Sequence, residues 1–252
     1  MEKQEFFEIS ENVFEKNGVG EFFVGENRDK FFSLCNIMLE QNKVMNLSAI
    51  RDERGVICRH FADSLTAAKH IKEGATVLDI GSGGGMPTLP LAIARPDLTI
   101  TALDATAKKT AYIKGAAEKL SLSNVNILTG RAEELGAKAD YREKFDIVTA
   151  RAVASLRVLL EWCIPFLKTG GTFIAMKGKN GDEELKEAQN AVKELSLTLP
   201  QDDCFNLYDL SSKDEADAVR HIFVFKKNMP TKKYIREKIL RYKKIPFDIP
   251  FL

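Results

Sequence analysis

The chain has 252 residues, 44% hydrophobic and 29% charged, the make-up of an ordinary globular protein large enough to bury a core. Lys and Arg number 37 against 36 Asp and Glu, a formal net charge of +1. That balance excludes a uniformly basic nucleic-acid coat but leaves room for a local basic patch.

Residues 1–30 carry eight acids and four bases. Within them Phe6, Ile9 and Val13 recur at helical spacing, as do Phe31, Leu34, Ile37 and Met38 further on. Residues 27–45 and about 52–70 also read as amphipathic helices, so residues 1–70 are expected to form an N-terminal helical extension packed on the rest. The aromatic series Phe6, Phe7, Phe14, Phe22, Phe23, Phe31 and Phe32 is expected to pack as core and not as a base-stacking platform.

From Ala75 the pattern changes. Short apolar runs at 75–80, 98–103, 125–128, 145–150 and 172–176 alternate with helical patterns at 87–95, 107–120, 156–167 and 183–195. Strands alternating with helices predict a doubly wound parallel α/β sheet with right-handed crossovers. Late in the chain, 205–210 and 218–225 read as strands with no helical pattern between them, which predicts an antiparallel hairpin at the sheet edge. The tail from Lys226 to Lys244 then holds nine bases and one acid, with Tyr234 and Tyr242 interleaved. Such a run is usually solvated surface. Here its length and single sign predict an RNA footprint, with Lys232, Lys233, Arg236 and Arg241 as phosphate contacts and Arg131 as a further candidate.

Four cysteines (Cys35, Cys58, Cys163, Cys204) form no C-x-x-C pair, and there are three histidines. No disulfide framework and no metal site is expected. The N-terminus has no signal-peptide pattern, and no run approaches the ~18 apolar residues of a spanning helix. The reading is a soluble cytoplasmic protein without a membrane partner.

The informative motif is Asp79-Ile80-Gly81-Ser82-Gly83-Gly84-Gly85-Met86-Pro87, at the first strand-to-helix turn, with Pro87 expected as the first helical residue. Glycines let the backbone turn sharply and approach a ligand. The dinucleotide fingerprint fails because Met86 stands at the third glycine position, and no Gly-Lys-Ser/Thr closes a phosphate loop. Asp79 would repel a pyrophosphate but suits a ligand with positive charge, such as S-adenosylmethionine; a loop brace is its other reading. Asp104 ends the second strand, 23 positions after Gly81, where an acid meets ribose hydroxyls; Ala105 and Thr106 follow it. Together these features resemble the class I S-adenosylmethionine-dependent methyltransferases, which makes residues 71–252 the Rossmann-like transferase domain with its basic tail. After the fourth strand stands Thr149-Ala150-Arg151-Ala152-Val153, without the Asn/Asp-Pro-Pro-Tyr/Phe motif of adenine-N6 and cytosine-N4 enzymes.

More specific pieces are Met45-Asn46-Leu47-Ser48-Ala49-Ile50, Arg59-His60-Phe61-Ala62-Asp63-Ser64-Leu65, Asp104-Ala105-Thr106-Ala107-Lys108-Lys109, Ala150-Arg151-Ala152-Val153-Ala154-Ser155-Leu156 and Met176-Lys177-Gly178. From about residue 40 onward the chain resembles the bacterial small-subunit ribosomal RNA guanine-N7 methyltransferases, the glucose-inhibited division protein B family. It departs from them at Met86-Pro87-Thr88, at Ser48 and at Tyr234-Ile235-Arg236. The resemblance implies S-adenosyl-L-methionine as cofactor, S-adenosyl-L-homocysteine as product, and 16S rRNA or the small ribosomal subunit as partner. It places Gly81, Met86, Ala132, Glu133 and Arg151 around the cofactor, with Asp79, Gly83, Asp104, Ala105 and Thr106 joining on positional grounds.

Guanine N7 carries a lone pair and no proton, so methyl transfer needs positioning and electrostatics and no general base. Arg151 is the first candidate to position guanine through O6, with Arg131 and Lys177 next. For Arg131 and Lys177 a surface salt bridge is the competing reading. His60, Asp63 and Ser64 share a helix face; a buried polar network and an RNA-facing patch both remain open. Two alternatives stand beside this reading. A small-molecule methyltransferase would leave the basic tail without a role, and a non-catalytic S-adenosylmethionine- and RNA-binding protein would keep the tail and transfer nothing.

Overall fold

The computed structural model describes residues 1–210 and 218–231. Strand β1 (Thr76–Ile80) is buried on both faces after its first residue, and the sheet grows outward from it. β2 (Thr99–Asp104) and β4 (Phe145–Arg151) flank it in parallel; β3 (Val125–Thr129) lies beyond β2 and β5 (Leu167–Lys177) beyond β4. β7 (Val219–Lys226) pairs antiparallel with β5, and β6 (Gln201–Asn206) antiparallel with β7. The order is β3-β2-β1-β4-β5-β7-β6 in one seven-stranded sheet, the doubly wound arrangement predicted.

Before the sheet, helices α1 (Lys3–Lys16) and α2 (Glu26–Met45) turn their phenylalanines inward. The Phe14 ring lies 4.9 Å from Phe23 and 5.3 Å from Phe31, and Phe31 lies 5.3 Å from Phe61. Phe6, Phe14 and Phe31 are wholly buried, as core packing requires and a base-stacking platform would not allow. Helix α3 runs in three contiguous pieces, α-helical at Glu53–Gly55, π-helical at Val56–Ala62 and α-helical at Asp63–Leu65. A π turn inside a helix frequently accompanies a functional position, and here it carries Arg59 and His60.

Parallel pairs need crossovers. They are α4 (Thr88–Ala94), α5 (Ala107–Lys119), α6 (Ala132–Leu135) and α7 (Leu156–Cys163); α8 (Gly181–Glu194) leads to the antiparallel edge. Side chains alternate across a strand, so the sheet has two apolar faces. Val77, Ile100 and Ile147 meet α4, α5 and the N-terminal helices in one core. Leu78, Ile80, Leu103 and Val148 meet α6, α7 and α8 in the other.

Four boundaries differ from expectation. The run expected as a helix over 156–167 is cut at Cys163 by a 3-10 turn containing Pro165, which has no N–H to continue the ladder. β5 starts at Leu167 and not at 172, with a register irregularity opposite Phe145–Ile147. Pro87 caps α4 from outside, and Thr88 is the first helical residue. The strand expected at 205–210 is β6 at Gln201–Asn206, because its polar residues Gln201, Asp202 and Asp203 pair along an exposed edge where no apolar run is needed.

Candidate functional site

The glycine loop hooks over the end of β2. Gly81 N and Ser82 N both donate to Leu103 O, at 2.8 and 3.1 Å, and Gly83 N donates to Asp104 Oδ2 at 3.0 Å. Asp104 Oδ1 accepts from Thr106 N at 2.8 Å. Of the three left-handed glycines in this loop, Gly81, Gly83 and Gly85, the first two bear most on the site. Gly81 has φ +71°, and a Cβ there would lie 2.5 Å from Val153 Cγ2. Gly83 has φ +52°, and a Cβ there would meet only Gly81 O at 3.7 Å, so this position opens on free space. Ala105 and Thr106 are exposed beside it, Met86 is buried with its sulfur 4.0 Å from Ser64 Oγ, and Ala132 and Glu133 start α6 at the end of β3.

Asp79 is sealed beneath the loop at 1% exposure. Its two oxygens accept from Thr88 Oγ1 at 2.6 Å and Thr149 Oγ1 at 3.1 Å, tying the start of α4 to β4. Burial pushes its carboxyl above the usual range, while the hydroxyl donors oppose that shift. This is the loop-brace arrangement.

Arg151 stands at the carboxyl end of β4, and α3 closes over it. Its Nη1 donates to Arg59 O at 3.0 Å and to Asp63 Oδ2 at 2.8 Å, and its Nη2 reaches His60 Nδ1 at 3.1 Å. Asp63 Oδ1 accepts from Arg220 Nε on β7 at 3.0 Å. One buried carboxylate thus bridges two guanidinium groups. His60 Nε2 lies 2.8 Å from Ser48 Oγ. Burial and then the neighbouring Arg151 charge pull the imidazole down to about 3, so it is neutral at ordinary pH. Ser64 Oγ reaches Met86 Sδ instead, and for His60 and Asp63 the buried network is the role observed. Arg220, Ser48 and Arg59 O complete it, and only tertiary pairing reveals them.

Beside Arg151 is a hollow of about 330 Å³, in the size range of small-molecule pockets. It lies between α3 and the ends of β4, β5 and β7, and its wall includes Arg59, His60, Asp63, Arg151, Lys177 and Arg220. Lys177 donates to Ala154 O at 2.8 Å and pairs with Glu184 Oε2 at 2.7 Å; Glu184 also accepts from Leu156 N at the start of α7. It therefore clamps the loop after β4 while bordering the hollow. Arg131, with 58% of its side chain exposed, makes a 3.5 Å ion pair with Glu133.

The basic tail divides. Lys226 is exposed at the end of β7, but Lys227 is wholly buried, its ammonium bonded to Glu143 Oε1, Leu167 O and Ile164 O at 2.7, 2.6 and 3.3 Å. The footprint expected from Lys226 onward therefore loses Lys227, which anchors the sheet. Lys232, Lys233, Arg236 and Arg241 lie outside the described residues. Among the described residues, Asp182, Asp202 and His221 bring donor atoms within 4.8 Å of one another. They come from α8, β6 and β7, so no sequence spacing announces them. The contact is accounted for by His221 Nδ1 donating to Asp202 at 3.0 Å.

The family described as rRNA small subunit methyltransferase G matches residues 27–204. A protein named ribosomal RNA small subunit methyltransferase G from Caldanaerobacter subterraneus is 42% identical over 227 residues, 88% of this chain and 91% of that one. One of the same name from Acetivibrio thermocellus is 41% identical over 86% of this chain and 88% of its own length. In fold, the chain is similar to a SAM-dependent methyltransferase from Aquifex aeolicus, with a TM-score of 0.52 and 15% identity over 71% of this chain and 96% of that one. It is also similar to the YcgJ protein of Bacillus subtilis, with a TM-score of 0.51 and 19% identity over 66% and 98%.

Proposed function

The chain belongs to the rRNA small subunit methyltransferase G family and is an S-adenosyl-L-methionine-dependent rRNA methyltransferase, and we propose that it methylates N7 of a guanine in 16S ribosomal RNA. The observation that carries the residue-level reading is Arg151, held at the end of β4 between the glycine loop and the cationic hollow.

The residues fit the cofactor. The left-handed loop leaves open space at Gly83, and Asp104 keeps further lone pairs for ribose hydroxyls while it holds the loop. Gly81 and Met86 shape the floor, and Ala132 and Glu133 offer backbone groups where the adenine would lie. Asp79 serves by fixing the loop and not by touching the ligand. When bound, the cofactor supplies a methyl group on a sulfonium, and S-adenosyl-L-homocysteine leaves.

The hollow takes the nucleotide. Arg59, Arg151, Lys177 and Arg220 outnumber Asp63 and Glu184 in its wall, which suits a phosphate-bearing substrate. Arg151 and Lys177 have N–H groups to offer guanine O6 and leave N7 uncrowded. Because N7 has no proton to lose, a site without a general base suffices, and a His60 that stays neutral costs the reaction nothing. Arg131 and the tail residues Lys232, Lys233, Arg236 and Arg241 would hold RNA phosphates. Residues 71–252 act as the transferase domain and residues 1–70 as the extension that braces it. The enzyme works in the cytoplasm, where ribosomal RNA is; no helix among the described residues is long and apolar enough to cross a membrane.

The test is transfer of a tritiated methyl group to ribosomal RNA from a strain lacking this activity, followed by nucleoside analysis. Label in 7-methylguanosine is expected. Label in another nucleoside, or in a small molecule and no RNA, overturns the proposal.

A further inference from the structure

We propose that His60 is a positioning residue, held as its Nε2–H tautomer so that the Nδ1 lone pair fixes the rotation of the Arg151 guanidinium. The inference rests on the reading of Arg151 given above and extends it to a residue that borders the same hollow and acts by orienting Arg151.

The tautomer follows from donor accounting. A guanidinium has five N–H groups and no acceptor. Since Arg151 Nη2 lies 3.1 Å from His60 Nδ1, that nitrogen must be the acceptor. The ring proton then sits on Nε2 and points at Ser48 Oγ, 2.8 Å away. Ser48 is itself fixed. Its N donates to Asn42 Oδ1 at 2.9 Å, and Asn42 Nδ2 donates to Ser48 O and Ile50 O, each at 2.9 Å. Asn42 is buried near the end of α2. A continuous chain of directed bonds thus runs from α2 through the 46–50 loop and the π turn to the end of β4.

The same accounting shows what the chain achieves. Both Nη1 protons of Arg151 are spent, on Arg59 O and Asp63 Oδ2, and one Nη2 proton is spent on His60. Nε–H and the second Nη2–H have no partner among the described residues. With three donors pinned at fixed points the guanidinium plane cannot turn, so the remaining two meet a ligand in one orientation. Asp63 alone could not do this, because it engages only Nη1 and divides its charge with Arg220. A protonated imidazole would face the guanidinium donor to donor. Burial and the Arg151 charge prevent that by pulling His60 down to about 3.

Asn and Gln separate this role from simple filling of space. The Asn side-chain oxygen falls where imidazole carries Nδ1, and the Gln amide nitrogen falls where it carries Nε2. His60→Asn keeps an acceptor for Arg151 and gives up the tie to Ser48; His60→Gln does the reverse. The readouts are S-adenosyl-L-homocysteine affinity by calorimetry, kcat and KM for rRNA methylation, and melting temperature. His60→Gln should lose about ten- to a hundredfold in kcat/KM, the scale of a lost hydrogen bond to a charged group, and His60→Asn should recover most of it whatever their order in melting temperature. Ser48→Ala, which leaves the Arg151 acceptor in place, should lose less than His60→Gln. A Gln variant as active as the Asn variant overturns the positioning role, as does a Ser48→Ala loss equal to that of His60→Gln. Arg151→Ala is measured alongside. If it keeps full methyl transfer, the reading of Arg151 falls and this inference with it. If it loses transfer while the His60 order is wrong, only this inference falls.

Discussion

Replacing Asp63 tests the arginine socket most directly. The carboxylate is 7% exposed and accepts one charge-assisted bond from Arg151 at 2.8 Å and one from Arg220 at 3.0 Å. Asp63→Ala removes both and leaves two guanidinium groups facing each other across a partly dry gap. Removing one partner from a buried ion pair costs about 3–5 kcal/mol; the two arginines keep some access to water, so the lower end, about 3 kcal/mol, is the expectation. For a chain of this length each kcal/mol shifts the midpoint by about 2–4 °C, so the melting temperature should fall by about 6–12 °C. Asp63→Asn should be nearly as harmful, because its amide group sets a donor against a guanidinium. Melting followed by circular dichroism, with S-adenosyl-L-homocysteine titrated into each variant, gives both numbers. A shift under about 2 °C with wild-type affinity would mean that both arginines are solvated and that the socket holds nothing in place.

Gly83→Val should fold, with strain of about 1–2 kcal/mol from its left-handed backbone, yet lose S-adenosyl-L-homocysteine binding in calorimetry, because the branched side chain enters the open space; retained affinity would move the cofactor elsewhere. Alanine at Lys232, Lys233, Arg236 and Arg241 should weaken RNA binding and flatten its salt dependence by about 0.7 in slope per lost contact on a single strand, with cofactor affinity unchanged; an unchanged slope would shift the footprint to Arg51, Arg54 and Arg59. Asp146 should contribute an acid-sensitive part of stability. Burial pushes its carboxyl up, but the Thr76 hydroxyl and amide, Lys72 and Lys168 together hold it below the ordinary value. Its contribution is therefore complete above the ordinary carboxylate pKa of ~3.9 and is lost as pH falls below it. Wild type and Asp146→Asn should differ in denaturant midpoint at pH 7 and converge in acid; a gap that stays constant down to pH 3 would refute the assignment.

What could be read in advance follows from how local each signal is. The 75–80 run announces β1 because a strand covered on both faces needs an unbroken apolar stretch. β6 pairs on one side only and carries Asp202 and Asp203, so the sequence pointed a few residues too late. The glycine loop is legible because its requirements lie within nine residues. The Arg151 socket is not, since Asp63 and Arg220 approach from 88 positions before it and from the last described strand. His60 and Asp63 show their common face, but a helical period does not say what that face meets. Lys227 misleads for a related reason. In a run of bases every charge looks solvated, yet side chains of successive extended residues alternate, and the one after Lys226 turns inward to Glu143.

The Asp63 bridge also bears on how the protein is made. Asp63 and Arg220 are 157 positions apart, and β7, which carries Arg220, pairs between β5 and the earlier-made β6. On a nascent chain the carboxylate can meet Arg151 first but must wait for β7 to enter the sheet before its second oxygen is matched. Arg220 reaches it only when all seven strands exist. A truncated or stalled chain ending before β7 therefore has the glycine loop and Arg151 but an unfinished socket. The hollow assigned to the nucleotide, whose wall includes Arg220, is therefore complete only when the sheet is.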